Sequence, residues 1–195
     1  KVKKTPSRRK FFKAAAATGV AAVAASSLAA PAVAAERIEA SMVATWGRDF
    51  PGLGTGAQRF AQRITDMSDG RIQVTYYAAN ERVKAFDSFD EVASGNSQMY
   101  HAADYYWVKK NPAWGYFTAV PFGFTYTEMN AWIRFAGGQE LWDELADGFG
   151  LKNFMCGDTG VQMGGWFNKK IRSPNDFKGL KMRMPGLGGQ VIGKL

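Results

Sequence analysis

The sequence contains very few residues of the types that bind metals through nitrogen or sulfur. Its 195 residues include one cysteine, Cys156, and one histidine, His101. A single cysteine excludes a disulfide within the chain, and these two residues cannot build the clusters that hold zinc, haem c or iron–sulfur centres. A bound metal ion would therefore need oxygen ligands. Cys156 has no activating neighbour in the sequence, and we expect it to be a small buried apolar residue.

Acidic residues are absent from the first 34 positions, where seven of the 25 lysines and arginines lie. The rest of the chain has 18 basic and 17 acidic residues, so the formal net charge of +8 comes almost entirely from the N-terminal segment. This distribution removes the main argument for nucleic-acid binding. An apolar content of 46% is sufficient to build a packed core.

The N-terminal segment has the order of an export signal. Arg8 and Arg9 precede an alanine-rich apolar run over residues 14–30, and A-V-A follows at residues 32–34. A charged region, an apolar region and an A-x-A site are typical of a cleaved signal peptide, and the paired arginines favour the twin-arginine (Tat) route. The run is too weakly apolar to favour a membrane anchor. We expect residues 1–34 to be a twin-arginine signal peptide cleaved near Ala34, which places the protein in the periplasm.

The apolar pattern after residue 35 alternates between strands and helices. Residues 37–46 and 71–77 alternate with period two, and Phe60, Ile64 and Met67 lie on one helical face between them. A strand, a helix and a strand form a βαβ unit, so we predict an α/β fold with a parallel sheet.

A break at residues 147–150 is followed by a change of pattern, and we place a domain crossing near residues 150–157. We predict a first α/β lobe over residues 35–152 and the start of a second lobe over residues 153–195. The further predicted helices cover residues 86–93, 127–135 and 139–145, and the further predicted strands cover residues 151–155, 160–168 and 180–184.

Glycines after the first strand allow an alternative function. Gly52, Gly54 and Ala57 fit the loose fingerprint of a dinucleotide site. The match is weak, because residues 47–51 lengthen a turn that should be tight and no acidic residue ends the second strand to bind a ribose hydroxyl. An exported NAD(P)-dependent oxidoreductase remains the alternative, because the twin-arginine route often carries proteins that hold a cofactor.

Arg183 and Gln162 are the first candidates for ligand binding. Arg183 lies in a short predicted strand before a glycine-rich turn and a new helix, and its planar fork matches a carboxylate. The same position also suits a surface arginine in an ion pair. Gln162 has glycines on both sides, and its side chain can bond a substrate oxygen, supply an oxygen ligand to Na⁺ or Ca²⁺, or be an ordinary polar position.

Three aromatic residues near strand ends, Trp46, Tyr105 and Tyr106, are further candidates. Such residues usually belong to a core. A tyrosine at the end of a strand is also a suitable wall for a small organic anion.

Three segments resemble the solute-binding subunits of TRAP transporters, the tripartite carriers that take up organic acids with a sodium gradient. They are P-F-G at residues 121–123, TGVQMGGWF at residues 159–167 and DFKGLKMRMP at residues 176–185. The resemblance covers residues 36–195. The segment with Gln162 resembles the branch that binds 2-oxo or 2-hydroxy monocarboxylates such as pyruvate or lactate.

The resemblance implies a non-catalytic periplasmic binding protein in which two α/β lobes close over the ligand. It implies that Arg183 pairs with the ligand carboxylate, that Gln162 contacts the ligand or a bound Na⁺ or Ca²⁺, and that Tyr105 and Tyr106 line the cleft. The implied partners are the membrane subunits of the transporter, with no organic cofactor. Since the family's chains are longer, we expect an N-terminal fragment, with an acidic metal ligand and a hinge helix beyond Leu195.

Overall fold

A three-stranded parallel sheet organises the first part of the chain. The computed structural model describes residues 37–195, so the predicted signal peptide lies outside the described residues. Strand β1 (Ile38–Ala44) lies between β2 (Ile72–Tyr77) and β3 (Met99–His101) and is parallel to both. Parallel strands require crossover connections, which contain α1 (Leu53–Met67) and α2 (Ser88–Ala93). The predicted α/β class with a parallel sheet is confirmed.

Burial along the strands follows from their places in the sheet. The last four residues of β1 are all buried, because a central strand is covered on both faces. In β2, Val74 and Tyr76 are buried while Thr75 is exposed. Helix α1 packs on this sheet through Ala57 and Ala61, whose small side chains allow a close approach.

Aromatic rings build a second core beside the sheet. Phe117 stacks on Trp142 with ring centroids 5.4 Å apart, and Phe89 lies 5.1 Å from Trp107 and 5.5 Å from Trp114. Ring pairs at these separations stabilise a core beyond the area that they bury. The elements that contribute to this core are α2, two 3-10 turns (Asp104–Trp107 and Pro112–Phe117), α3 (Tyr126–Phe135) and α4 (Gly138–Asp147).

The last part of the chain departs from the prediction. Strands were predicted over residues 151–155, 160–168 and 180–184, but within residues 37–195 no strand follows β3. A strand needs a neighbour to accept its backbone hydrogen bonds, and these segments have none in the described chain. The elements present after α4 are a 3-10 turn (Pro174–Phe177) and α5 (Gly186–Ile192). The lobe boundary at residues 152–153 stays a prediction.

The other predicted helices agree with the structure within a few residues. Residues 127–135 and 139–145 fall inside α3 and α4, and residues 86–93 fall in a 3-10 turn (Ala85–Asp87) followed by α2. No helix in the described part of the chain is both long enough and apolar enough to span a bilayer.

Removal of the Phe89 ring should destabilise the aromatic core. Phe89 is 1% exposed and contacts several rings, so Phe89→Ala should lower the free energy of unfolding by about 3–5 kcal/mol, as measured by urea denaturation. The control is Phe122→Ala, since Phe122 is fully exposed and should change stability by less than about 0.5 kcal/mol. Equal losses in the two variants would contradict this account of the core.

Candidate functional site

The loops that follow the three strands meet at the carboxyl edge of the sheet. The amide of Thr45, after β1, donates to the carbonyl of His101 at 3.1 Å. The amide of Ala79, after β2, donates to the carbonyl of Trp46 at 3.0 Å. Open α/β sheets bind ligands outside this edge, so Trp46 stands where a ligand would lie.

Five aromatic side chains form a continuous group at this edge, which we call the aromatic wall. Trp46 contacts His101 edge-on at 5.0 Å and lies 6.5 Å from Tyr106. Tyr106 in turn contacts Tyr105 at 4.8 Å and Phe86 at 5.0 Å, both edge-on. The structure therefore brings together the predicted residues Trp46, Tyr105 and Tyr106.

His101, the last residue of β3, belongs to the wall but was not predicted as a site residue. Burial lowers the pKa of His101, so the imidazole is neutral near pH 7. Its Nδ1 is buried and has no hydrogen-bond partner among residues 37–195. A neutral imidazole adds no charge to the wall.

Arg183 lies near Tyr105. Burial raises the pKa of Tyr105 to about 12, and the positive charge of Arg183 opposes this rise. The phenol thus stays protonated and can donate a hydrogen bond to an anion. The Arg183 side chain is exposed, and no ion pair involves it within the described residues.

A glycine allows the segment that carries Arg183 to approach the aromatic wall. Gly186, the first residue of α5, has a φ of 62°, and a Cβ there would come within 2.8 Å of the Cβ of Tyr105. A larger residue would strain the backbone and separate α5 from the tyrosine.

The side chain of Gln162 forms its hydrogen bond within its own loop rather than with the aromatic wall. It is exposed, and its Nε2 donates to Oγ1 of Thr159 in the same loop at 2.5 Å. That bond leaves the amide oxygen as a ligand for a cation. No group of three His, Cys, Asp or Glu residues in the described chain is arranged to hold a metal. Gln162 can thus supply one oxygen of the six to eight, roughly, that Ca²⁺ prefers.

The glycines of the dinucleotide-like segment have a packing explanation. A Cβ on Gly54 would meet the carbonyl oxygen of Gly47 at 2.4 Å, so this position has no space for a side chain. The amides of Gly54 and Thr55 donate to the carbonyl of Phe50 at 2.9 and 3.1 Å. Because these donors at the start of α1 are already used, the segment is a poor cradle for a pyrophosphate.

An ion pair joins two loops at the same edge of the sheet, and it was not predicted from the sequence. The guanidinium of Arg48 pairs with Glu81, lies 5.2 Å from the Tyr76 ring centroid and donates to the carbonyl of Tyr76 at 3.1 Å. The hydrogen bond from Arg48 lowers the pKa of Glu81, whose carboxylate also accepts from the amide of Ala78 at 2.9 Å. The pair fastens the loop after β1 to the loop after β2.

A buried carboxyl group, Asp104, lies directly before the two tyrosines and was also not predicted. Its Oδ2 accepts hydrogen bonds from Nε1 of Trp142 at 2.7 Å and from Nδ2 of Asn153 at 3.2 Å. The same Asn153 nitrogen lies 3.0 Å from the Tyr100 hydroxyl. Burial raises the pKa of Asp104 to about 7 in spite of these bonds. The available signal was an acid within an otherwise apolar, aromatic stretch.

The expectation that Cys156 is buried was wrong, because the residue is exposed, although neighbouring atoms still surround much of its thiol. Desolvation of the thiol and the charge of Asp104 both raise its pKa, which disfavours the reactive thiolate.

An apolar cavity of about 480 Å³ lies elsewhere in the described chain. Phe117, Met129, Trp132 and Leu145 are among its lining residues, and its walls contain no charged side chain. An ionised carboxylate would lose its hydration there without gaining a partner. Its lining residues include none of the aromatic wall, Arg183 or Gln162.

Comparison with known proteins gives a consistent family match. Residues 43–195 match the model of the bacterial extracellular solute-binding protein family 7. The monocarboxylate 2-oxoacid-binding periplasmic protein of Nostoc sp. is 41% identical over 154 residues, which are 79% of this chain and 42% of that protein.

Two solved structures of TRAP periplasmic solute binding proteins share the fold. The protein from Pseudoalteromonas atlantica T6c, with bound sodium and pyruvate, is 44% identical with a TM-score of 0.78. The protein from Colwellia psychrerythraea, with bound calcium and pyruvate, is 42% identical with a TM-score of 0.79. Each match covers 81% of this chain and 48% of the other, so the chain spans less than half the length of these relatives.

Proposed function

The chain belongs to the bacterial extracellular solute-binding protein family 7, and from this premise we propose that it is part of the periplasmic binding subunit of a TRAP transporter. The subunit captures a small 2-oxo or 2-hydroxy monocarboxylate such as pyruvate or lactate. The observation that carries the proposal is the close approach of the segment that carries Arg183 to Tyr105, beside an aromatic wall at the carboxyl edge of a parallel sheet. Relatives named for 2-oxoacids, or solved with pyruvate, support the ligand class.

The chemistry of the site suits a small organic anion. Arg183 supplies a guanidinium fork for the carboxylate, and the protonated hydroxyl of Tyr105 supplies a neutral donor. The rings of Trp46 and Tyr106 offer apolar surface to a short carbon chain. Tyr105, Tyr106 and Trp46 thus act as walls, and Arg183 acts as the charge that selects an anion.

A cation completes the proposed site. Gln162 contributes its amide oxygen to Na⁺ or Ca²⁺, and the remaining ligands come from other oxygens, which can include those of the bound acid. When bound, the cation neutralises part of the carboxylate charge. The sodium and calcium in the two pyruvate-bound relatives support this proposal.

The subunit binds its ligand and returns it unchanged, with no organic cofactor and no catalytic residue. An exported NAD(P)-dependent oxidoreductase is the weaker candidate, because the amides at the start of α1 are occupied by Phe50. Two lobes, over residues 35–152 and from residue 153 onward, close over the ligand. The membrane subunits of the transporter then receive the acid.

A ligand screen tests the function directly. The full-length protein should show a raised melting temperature with pyruvate or lactate, and a larger rise when Na⁺ or Ca²⁺ is added. Ligand at about 100 times its Kd stabilises by about 2.7 kcal/mol. Gln162→Ala should reduce the increment due to the cation, whereas Gln62→Ala, an exposed glutamine on α1, should not. A bound nicotinamide, or turnover of a 2-hydroxy acid, would instead support the oxidoreductase.

Arg183→Ala should remove most of the affinity while the fold survives. Loss of one partner of a desolvated charge pair costs about 2–5 kcal/mol, which corresponds to roughly a 30-fold to several-thousand-fold rise in Kd by calorimetry. Arg183→Lys should recover part of the loss, because it keeps the charge without the fork. The control is Arg172→Ala, another exposed arginine. Binding by Arg183→Ala within about threefold of wild type would show that Arg183 is a surface residue.

Export by the twin-arginine route is tested in cells. Exchange of Arg8 and Arg9 for lysine should abolish periplasmic accumulation, because the route requires the arginine pair rather than positive charge. Exchange of Lys3 and Lys4 for arginine is the matched control and should leave export unchanged. Undiminished periplasmic yield of the Arg8 and Arg9 variant would exclude the twin-arginine route, though not export itself.

A further inference from the structure

The buried carboxyl group of Asp104 is adjacent in sequence to the tyrosines of the aromatic wall. Asp104 is 5% exposed and begins the 3-10 turn that continues through Tyr105 and Tyr106 to Trp107. Trp107 is itself buried, and its Nε1 donates to the carbonyl of Phe86 at 3.2 Å. The turn is therefore held at both ends by hydrogen bonds, of which the one between Trp142 and Asp104 is buried, and the two tyrosines lie between these fixed points.

The partners of Asp104 come from two other parts of the chain. Trp142 lies on α4 and donates at 2.7 Å, and Asn153, after α4, donates at 3.2 Å. Asn153 is also held through its carbonyl, which accepts from Nε2 of Gln139 at 2.9 Å. Asp104 thus fastens the tyrosine turn to the point where the predicted second lobe begins.

Beyond Asp104, Tyr105 in turn lies against Gly186 at the start of α5 and near Arg183. A chain of contacts therefore runs from Asn153 through Asp104 and Tyr105 to the segment that carries the binding arginine. A shift of the turn at Asp104 would be transmitted directly to the surface that faces the ligand.

We propose that Asp104 is a positioning residue of the ligand site: its buried hydrogen bonds fix the turn that carries Tyr105 and Tyr106, and its negative charge, once it ionises, opposes the bound anion. This inference rests on the proposed function. Asp104 would then act on the ligand site without touching the ligand, and the affinity for the carboxylate should depend on pH.

Of the titratable groups around Asp104 in the described chain, Asp104 itself is the one that changes charge near neutral pH. Tyr100 on β3 and Cys156 after α4 respond to its charge, but their pKa values are raised, chiefly by burial, and both stay neutral. Burial lowers the pKa of His101 on β3 below its ordinary value, so His101 titrates at lower pH than Asp104. Near Asn153, Asp143 on α4 forms an ion pair with Lys152, which directly precedes Asn153 in the sequence. The pKa of Asp104 is about 7.

The direction of the pH effect follows from linkage. An anion bound near Tyr105 raises the pKa of Asp104 further, so binding takes up a proton near pH 7. Affinity is then higher at about pH 6, where Asp104 is neutral, and falls towards about pH 8 as it ionises. Asp104→Asn should lack this fall. Its new amide can donate to Oδ1 of Asn153 if the Asn153 amide turns over, because that oxygen is buried without a hydrogen-bond partner within the described chain.

The experiment is calorimetry of pyruvate binding to the full-length protein between about pH 6 and pH 8. Wild type should bind several-fold more tightly at the lower pH, and Asp104→Asn should match it there and stay constant as the pH rises. Asp104→Ala leaves buried donors unpaired, so at about pH 6 it should weaken binding by about tenfold or more relative to wild type. The control is Met129→Ala, which truncates a side chain of the same aromatic core on α3, an element outside the turn.

Two results would overturn the inference. One is a pH profile of Asp104→Asn that follows the wild type, and this test remains if Asp104→Ala does not fold. The other is an equal loss of affinity in Asp104→Ala and Met129→Ala, which would make Asp104 a core residue only.

If the wild type binds no small carboxylate, the proposed function fails. Amide hydrogen exchange of the ligand-free protein then tests whether Asp104 fixes the turn that carries Tyr105 and Tyr106. Faster exchange of the amides of residues 105–107 in Asp104→Ala, but not in Met129→Ala, would support it. Equal exchange in the two variants would contradict it.

Discussion

Parallel pairing of β1 with both of its neighbours is the constraint on which the site depends. It directs the carboxyl ends of three strands to one edge, so their following loops must meet there. The hydrogen bonds from Thr45 to His101 and from Ala79 to Trp46 show that they do. Trp46 and His101 come into contact because their strands are neighbours, although 54 intervening residues separate them in the sequence.

Close approach of the backbone at two glycines then determines which residues lie beside this edge of the sheet. Glycine at position 54 lets the loop after β1 fold over the start of α1, and glycine at position 186 lets α5 reach Tyr105. At Gly54, the first amides of α1 donate to the carbonyl of Phe50 within the same loop. At Gly186, the close approach brings Arg183 near the protonated hydroxyl of Tyr105. The same property of glycine thus removes a phosphate cradle in one place and helps form the proposed anion site in another.

The sequence was sufficient for features that depend on local pattern. The βαβ unit, α3 and α4 follow from periodicity, and Trp46, Tyr105 and Tyr106 were identifiable as aromatic residues near strand ends. The strands predicted after residue 150 were wrong, because alternation cannot show whether a pairing neighbour exists. The bonds of Asp104 to Trp142 and Asn153 span 38 and 49 residues, so composition and spacing could not reveal them. The hydrogen bond of Gln162 lies within its own loop, and the proposed role of Gln162 rests on the family resemblance.

At the proposed site, recognition of an anion requires more than the presence of Arg183. An exposed guanidinium is hydrated and screened by salt, so its pairing with a carboxylate in open solvent contributes little. The pairing becomes strong only when water leaves the site, which closure of a second lobe would achieve. Closure also strengthens the repulsion between the ligand and an ionised Asp104, since both charges then lie in a medium of low dielectric constant. At the proposed site, exclusion of water would therefore make affinity depend on Arg183 and sensitive to the protonation of Asp104.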